Sequence, residues 1–221
     1  MLEPQMISML IEGTWESIYM IIAITVISYI IGVPLGVFLV VSDKGGIHPM
    51  PGVNWLVGGI VNILRSVPFL ILMITLQPLT RIVVGTTIGP KAAIFALVVS
   101  AAPFVARMVE QSLLEIDHGV IEAAQSMGAS NMQIVMKVLL PESKPSLLNG
   151  VLVSATTILG YSAMAGVVGG GGLGDIAIRY GYNRYEMDTM LITVVLLVIL
   201  VQIIQSVGSR IAKRSDKRIN D

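Results

Sequence analysis

The 221 residues are 54% hydrophobic and 13% charged, with a mean hydropathy of +0.83. Uncharged runs of this kind have no single core to bury them, so a soluble domain is excluded and an integral membrane protein is implied. Basic and acidic residues balance at 14 each, which gives no bulk attraction to nucleic acid, and the lack of cysteine removes disulfides and thiolate metal sites.

Met1 to Ser17 carries Glu3, Glu12 and Glu16 and no Lys or Arg, unlike the basic start of a secretory signal. It is expected to form a short amphipathic lead-in, with Thr14 as an N-cap and Trp15 and Tyr19 at the membrane interface. Residues 17–42 are uncharged and long enough to form a tilted first span. Within it, Gly32 and Gly36 make a small-xxx-small face suited to helix packing, and Pro34 is the expected kink. The loop 43–54 is rich in breakers and holds Lys44 and His48, the histidine being read as solvated.

A second span is expected over 55–79, apolar apart from Asn62, Arg65 and Gln77 and punctuated by Pro68 and Pro78. Arg65 is expected to snorkel or to bind carbonyls freed by Pro68. A polar turn over 81–91 leads to the third span, 92–108. Arg107 and Glu110 stand one helical turn apart and can pair, either as a charged contact to the loop that follows or as a headgroup anchor.

Residues 111–144 interrupt the spans with a polar, helix-forming loop. Ile121 to Met127 contains good helix formers, and Gly128 sits where a left-handed residue ends a helix. Ser130 and Gln133 have the spacing of a capping box for a second short helix to Leu140, which Pro141 closes or extends into the next. Glu122 beside Ala123 and Ala124 suits a helix lying in a partner's groove with its carboxylate meeting a basic rim. An ordinary interfacial helix is the alternative.

The spacing of Glu122, Ala123, Ala124, Gly128, Val138, Leu140 and Pro141 resembles the cytoplasmic EAA loop of ATP-binding-cassette importer permeases. Val138 departs from the isoleucine more usual there. The resemblance implies that Glu122, Ala123, Ala124, Met127 and Gly128 couple the chain to a separate ATPase.

The uncharged run 145–174 holds a fourth span, about 146–168, and ends in a glycine-rich stretch. Gly169, Gly171 and Gly174 satisfy G-x-G-x-x-G, but no strand precedes them and no acid follows at the required distance, so a dinucleotide site is rejected. The glycines instead imply close helix approach or a broken helix along a path. Ser154, Thr156, Thr157, Tyr161 and Ser162 supply hydroxyls, which either line that path or satisfy their own helix, and Met164 adds a flexible thioether. The run Gly160-Tyr-Ser-Ala-Met-Ala-Gly166 with Arg179-Tyr-Gly-Tyr182 is similar to the methionine-importer permease subfamily, as is Glu110 to Asn149. In the second span, Arg65-Ser-Val-Pro68 resembles the Arg-x-x-Pro start of that span in amino-acid permeases. Tyr161, Ser162 and Met164 are therefore expected to line and gate the path.

The fifth span is expected over 189–209, followed by a basic tail. With the tail inside, ten of the 14 Lys and Arg fall on the cytoplasmic side, a positive-inside bias that puts the N-terminus outside and the loop 111–144 in the cytoplasm. The reading is an all-α, five-span permease domain over residues 1–221. No G-x-x-x-x-G-K-[ST] phosphate loop occurs, so an ATP-driven process needs a separate ATPase and this chain is not itself expected to be an enzyme or to hold a cofactor.

The resemblance implies two copies of this chain in the bacterial cytoplasmic (inner) membrane, two ATPases that bind ATP and Mg, and an extracytoplasmic binding protein for D- or L-methionine. A sister permease for a quaternary ammonium osmolyte or a polar amino acid is the nearer alternative. A channel or secondary transporter would carry mid-span charges, whereas these cluster near span ends. A membrane enzyme would need convergent acids and histidines, and neither histidine lies in a span.

Overall fold

The computed structural model describes residues 4–215, and every regular element among them is helical. The first, α1, runs unbroken from Pro4 to Ser42 and passes through Pro34. The expected lead-in and cap at Thr14 are thus replaced by one helix. Thr14 Oγ1 donates to the Leu10 carbonyl at 2.7 Å, satisfied within the helix instead of starting it. A helix of 39 residues is about 58 Å long, roughly twice the thickness of a hydrocarbon core.

The second expected span is broken. Helix α2 (Pro51–Ser66) meets α3 (Phe69–Thr75) at 102°. Pro68 lacks an N–H and forces its predecessor out of the helical region, and Val67 is extended at φ −76°, ψ 126°. Ser66 Oγ takes the Asn62 carbonyl at 2.8 Å. Arg65 is exposed on the last turn of α2. After α3, α4 (Gln77–Val84) fills much of what reads as a polar turn and ends at left-handed Gly85.

Helix α5 (Pro90–Leu114) is the centre of the molecule. Its Ala93, Ala101, Val105 and Ala106 are fully buried, and small residues let neighbouring helices come close. The partner in that approach is α1. A Cβ on Gly36 would meet the Ala106 carbonyl at 2.6 Å, and one on Gly32 would meet Val105 Cβ at 2.8 Å. The small-xxx-small face is therefore the α1–α5 contact.

Between the spans lie α6 (His118–Ser126), α7 (Asn131–Ile134), a π-helical turn over Val135–Leu139 and α8 (Leu140–Glu142). Helix α9 (Lys144–Ala165) tightens into a 3₁₀ turn at Gly166–Val168. Gly169, Gly171 and Gly172, at φ +76°, +80° and +73°, then redirect the chain into α10 (Gly172–Ile176). A Cβ on Gly166 would run into the backbone of Gly174 and Asp175, so this glycine run serves close approach. A second π turn, Ala177–Tyr182, leads to α11 (Met187–Ser215), which buries Thr189, Thr193 and Leu200 along one stripe.

Four helices are long and apolar enough to cross a membrane, and the bent α2–α3 pair makes a fifth if it counts as one span. Lys217 and Arg218 of the basic tail lie outside the described residues.

Candidate functional site

The inter-span helices are built from local signals. Asp117 caps α6, its Oδ1 accepting from Gly119 N at 2.7 Å. Aspartate ahead of a helical run is the signal that would have placed this start at His118, three residues before Ile121. At the other end Gly128 is left-handed at φ +77°. Ala129 N donates to the Ala124 carbonyl at 3.1 Å and Gly128 N to that of Gln125 at 2.9 Å, the paired bonds of a Schellman motif. Ser130 and Gln133 then form the expected capping box: Ser130 N donates to Gln133 Oε1 at 2.8 Å, and Gln133 N to Ser130 Oγ at 3.4 Å. The second short helix does not stay α-helical to Leu140. It widens into the π turn, because Pro141 offers no N–H to the carbonyl one turn back.

Tertiary packing sorts the predicted coupling residues into two sets. Ala124 is 5% exposed and joins Ile134 and Leu139 in a cluster with Val105, Val109 and Leu113 of α5. It therefore faces the chain's own core and not a partner's groove, a correction with a simple cause: α6 needs a small residue where it crosses the cluster. Glu122 and Ala123 face outward, and Met127 is 82% exposed. Glu122 Oε1 lies 3.3 Å from His118 Nδ1, with both side chains largely in solvent, where such pairs contribute little. Gly128 is also open, with nothing within 4 Å of a built Cβ.

The expected gate residues also divide. Tyr161 stacks on Phe69 with ring centroids 4.7 Å apart and planes 9° from parallel. That partner depends on the bend before α3, which no local pattern around Tyr161 indicates. Ser162 is 3% exposed and donates to the Leu159 carbonyl at 2.8 Å, so it satisfies its own helix and lines no path in this conformation. Met164 projects outward, 49% exposed. Of the other hydroxyls, Thr156 and Thr157 bond the helix backbone, and Ser154 meets Tyr29 Oη at 3.2 Å.

Arg107 and Glu110 do pair, at 2.7 Å. The guanidinium is turned away from the coupling loop, however. Its Nη2 donates to the Gly58 carbonyl at 3.1 Å and to Asn62 Oδ1 at 3.0 Å, which ties α5 to α2.

A family model for the binding-protein-dependent transport system inner membrane component matches residues 32–221. The chain belongs to this family. It is 50% identical to the probable D-methionine transport system permease protein MetI of Vibrio cholerae, over 95% of this chain and 93% of that one. It is 44% identical to the methionine import system permease protein MetP of Bacillus subtilis, over 94% and 93%. Among solved structures, an inward-facing conformation of the MetNI methionine ABC transporter superposes with a TM-score of 0.96 at 48% identity, covering 98% of this chain and all of that chain. An amino acid ABC transporter at 20% identity and a TM-score of 0.70 shares the fold. The all-helical arrangement, with four spans or five if the bent α2–α3 pair counts as one, matches the fold of that methionine-transporter chain.

Proposed function

We propose that this chain is the membrane-spanning permease subunit of an ATP-driven importer for D- or L-methionine. Two copies form the pathway, two separate ATPase subunits bind ATP and Mg and supply the energy, and an extracytoplasmic binding protein delivers the substrate. The observation that carries the reading is near-full-length identity of 44–50% to permeases named for methionine transport, joined to an EAA segment whose outward face is free. The basic tail and the loop 111–144 lie in the cytoplasm on this reading, by the charge bias of the sequence.

The geometry suggests how force would move. Glu122, Ala123 and Met127 offer a carboxylate, a small surface and a thioether to the ATPase. Ala124 seats the same helix in the cluster that holds Ile134 and Leu139, so a displaced α6 would carry α7 and the π turn with it. The capped turns at Gly128 and Ser130 keep α6 and α7 a stiff pair. Nucleotide-driven closure of the ATPases would rock the two copies and widen the path at Met164 and Tyr161.

The test is substrate-stimulated ATP hydrolysis by the purified complex with its binding protein, scanned over methionine, glycine betaine and polar amino acids. Methionine alone should stimulate. Stimulation by betaine or a polar amino acid instead would make this a sister permease, and no response to any of them would end the importer reading.

A further inference from the structure

Helix α11 carries a polar stripe in an otherwise apolar span. Thr189, Thr193 and Leu200 mark its buried side. At about 100° per residue, Gln202, Gln205 and Ser209 fall on the opposite side, pointing away from the chain's own core. They do not stand alone. With Ser206 and with Thr156 and Thr157 of α9 they line a groove of about 570 Å³, floored by Leu152 and Val153. The two helices meet closely there, since a Cβ on Gly208 would press on Leu152.

Amide side chains left in hydrocarbon without partners are unfavourable, so intramembrane polar groups face protein or a water-filled cavity. Three of the groove's four hydroxyls already donate: Thr156 Oγ1 to the Leu152 carbonyl at 3.0 Å, Thr157 Oγ1 to that of Val153 at 2.9 Å, and Ser209 Oγ to that of Ser206 at 3.2 Å. The glutamines are exposed and can both donate and accept. Along α9 the groove also has a direction. Thr157 and Met164 are two turns apart and share a face, so it points at the exposed thioether.

We infer that the α9–α11 groove is a transient site for a zwitterionic α-amino acid, in line with Met164. Gln202 and Gln205 donate N–H groups to the carboxylate, while their carbonyls and the threonine oxygens accept from the ammonium group. Leu152 and Val153 receive an apolar side chain. No fixed charge lines the groove, so a neutral zwitterion is held weakly enough to leave, as conduction requires. This inference rests on the permease reading above.

The chain has no cysteine, so single cysteines report cleanly. In the complex reconstituted with its ATPase and binding protein, Thr157→Cys and Gln205→Cys should react with a charged methanethiosulfonate about tenfold faster than Ile30→Cys on the apolar face of α1, because hydrocarbon excludes the charged reagent. Millimolar L-methionine should slow both reactions. The double variant Gln202→Leu/Gln205→Leu should lose about tenfold in methionine uptake, the scale of one or two net hydrogen bonds, while still copurifying with the ATPase. Cysteines that stay unreactive in every nucleotide state, or that crosslink the two copies, would make the groove a packed interface and overturn the site. Labelling without protection by methionine would overturn it too. Methionine uptake by the unsubstituted complex, measured alongside, separates the outcomes: if it is present, only the groove has failed, and if it is absent, the importer reading falls first.

Discussion

Glu16 on α1 accepts a hydrogen bond from the backbone N–H of Gly172 at 2.8 Å, across 156 positions of sequence. Its neighbour Ser17 accepts from Leu173 N at 2.9 Å, so the first helix caps the start of α10 with two consecutive side chains. Uncapped N–H groups buried at a helix start are unfavourable, and the carboxylate adds a favourable charge. Replacing Glu16 by alanine should therefore destabilise the purified permease by about 1.5–3 kcal/mol. Glutamine keeps an acceptor and should lose less. Thermal unfolding in detergent reads the difference, and an unchanged midpoint in the alanine variant would remove Glu16 from the account of α10.

The Arg107 cluster makes a second prediction. Arg107 and Glu110 have side chains 21% and 18% exposed, and the guanidinium binds α2 at two further points. Arg107→Met should cost about 2–3 kcal/mol, the scale for hydrogen bonds to a charged group, and should leave Glu110 unpaired. Adding Glu110→Gln should recover part of that loss. Denaturation midpoints of the single and double variants decide it, and simple additivity would mean that the pair does not act as a unit.

The two alanines of the EAA segment should behave differently, because one is buried and the other is not. Ala124→Trp should destabilise the permease itself by overpacking the cluster around Val105 and Leu139, by about 1–3 kcal/mol. Ala123→Trp should leave permease stability unchanged and weaken copurification of the ATPase. Gly128→Val meets no obstacle, yet a branched residue in the left-handed region adds strain of about 1–2 kcal/mol. That variant should insert and dimerise normally while losing ATPase-coupled uptake in vesicles. Equal thermal stability of the two tryptophan variants would contradict the inward placement of Ala124.

Orientation is open to direct labelling. Thr86→Cys, in the exposed turn after α4, should react with an impermeant reagent in intact cells. Gly45→Cys, where a side chain has open space, should react only after the membrane is permeabilised. The reverse pattern would invert the charge-based topology.

Local chemistry carried much of this molecule in its sequence. The left-handed Gly128, the capping box of Ser130 and Gln133 and the packing face of Gly32 and Gly36 each depend on residues within one or two turns. The apolar runs that became α1, α5, α9 and α11 were legible too, since such runs need lipid whatever the fold around them, whereas the break of 55–79 into α2 and α3 was not. What the sequence left open was which face of each helix meets which neighbour. A span among lipids is apolar on every side, so no alternation of polar and apolar residues marks its buried face. Only the tertiary structure could turn Ala124 and Ser162 inward, set Phe69 against Tyr161 through the break at Val67 and Pro68, and bring Glu16 to the first N–H of α10.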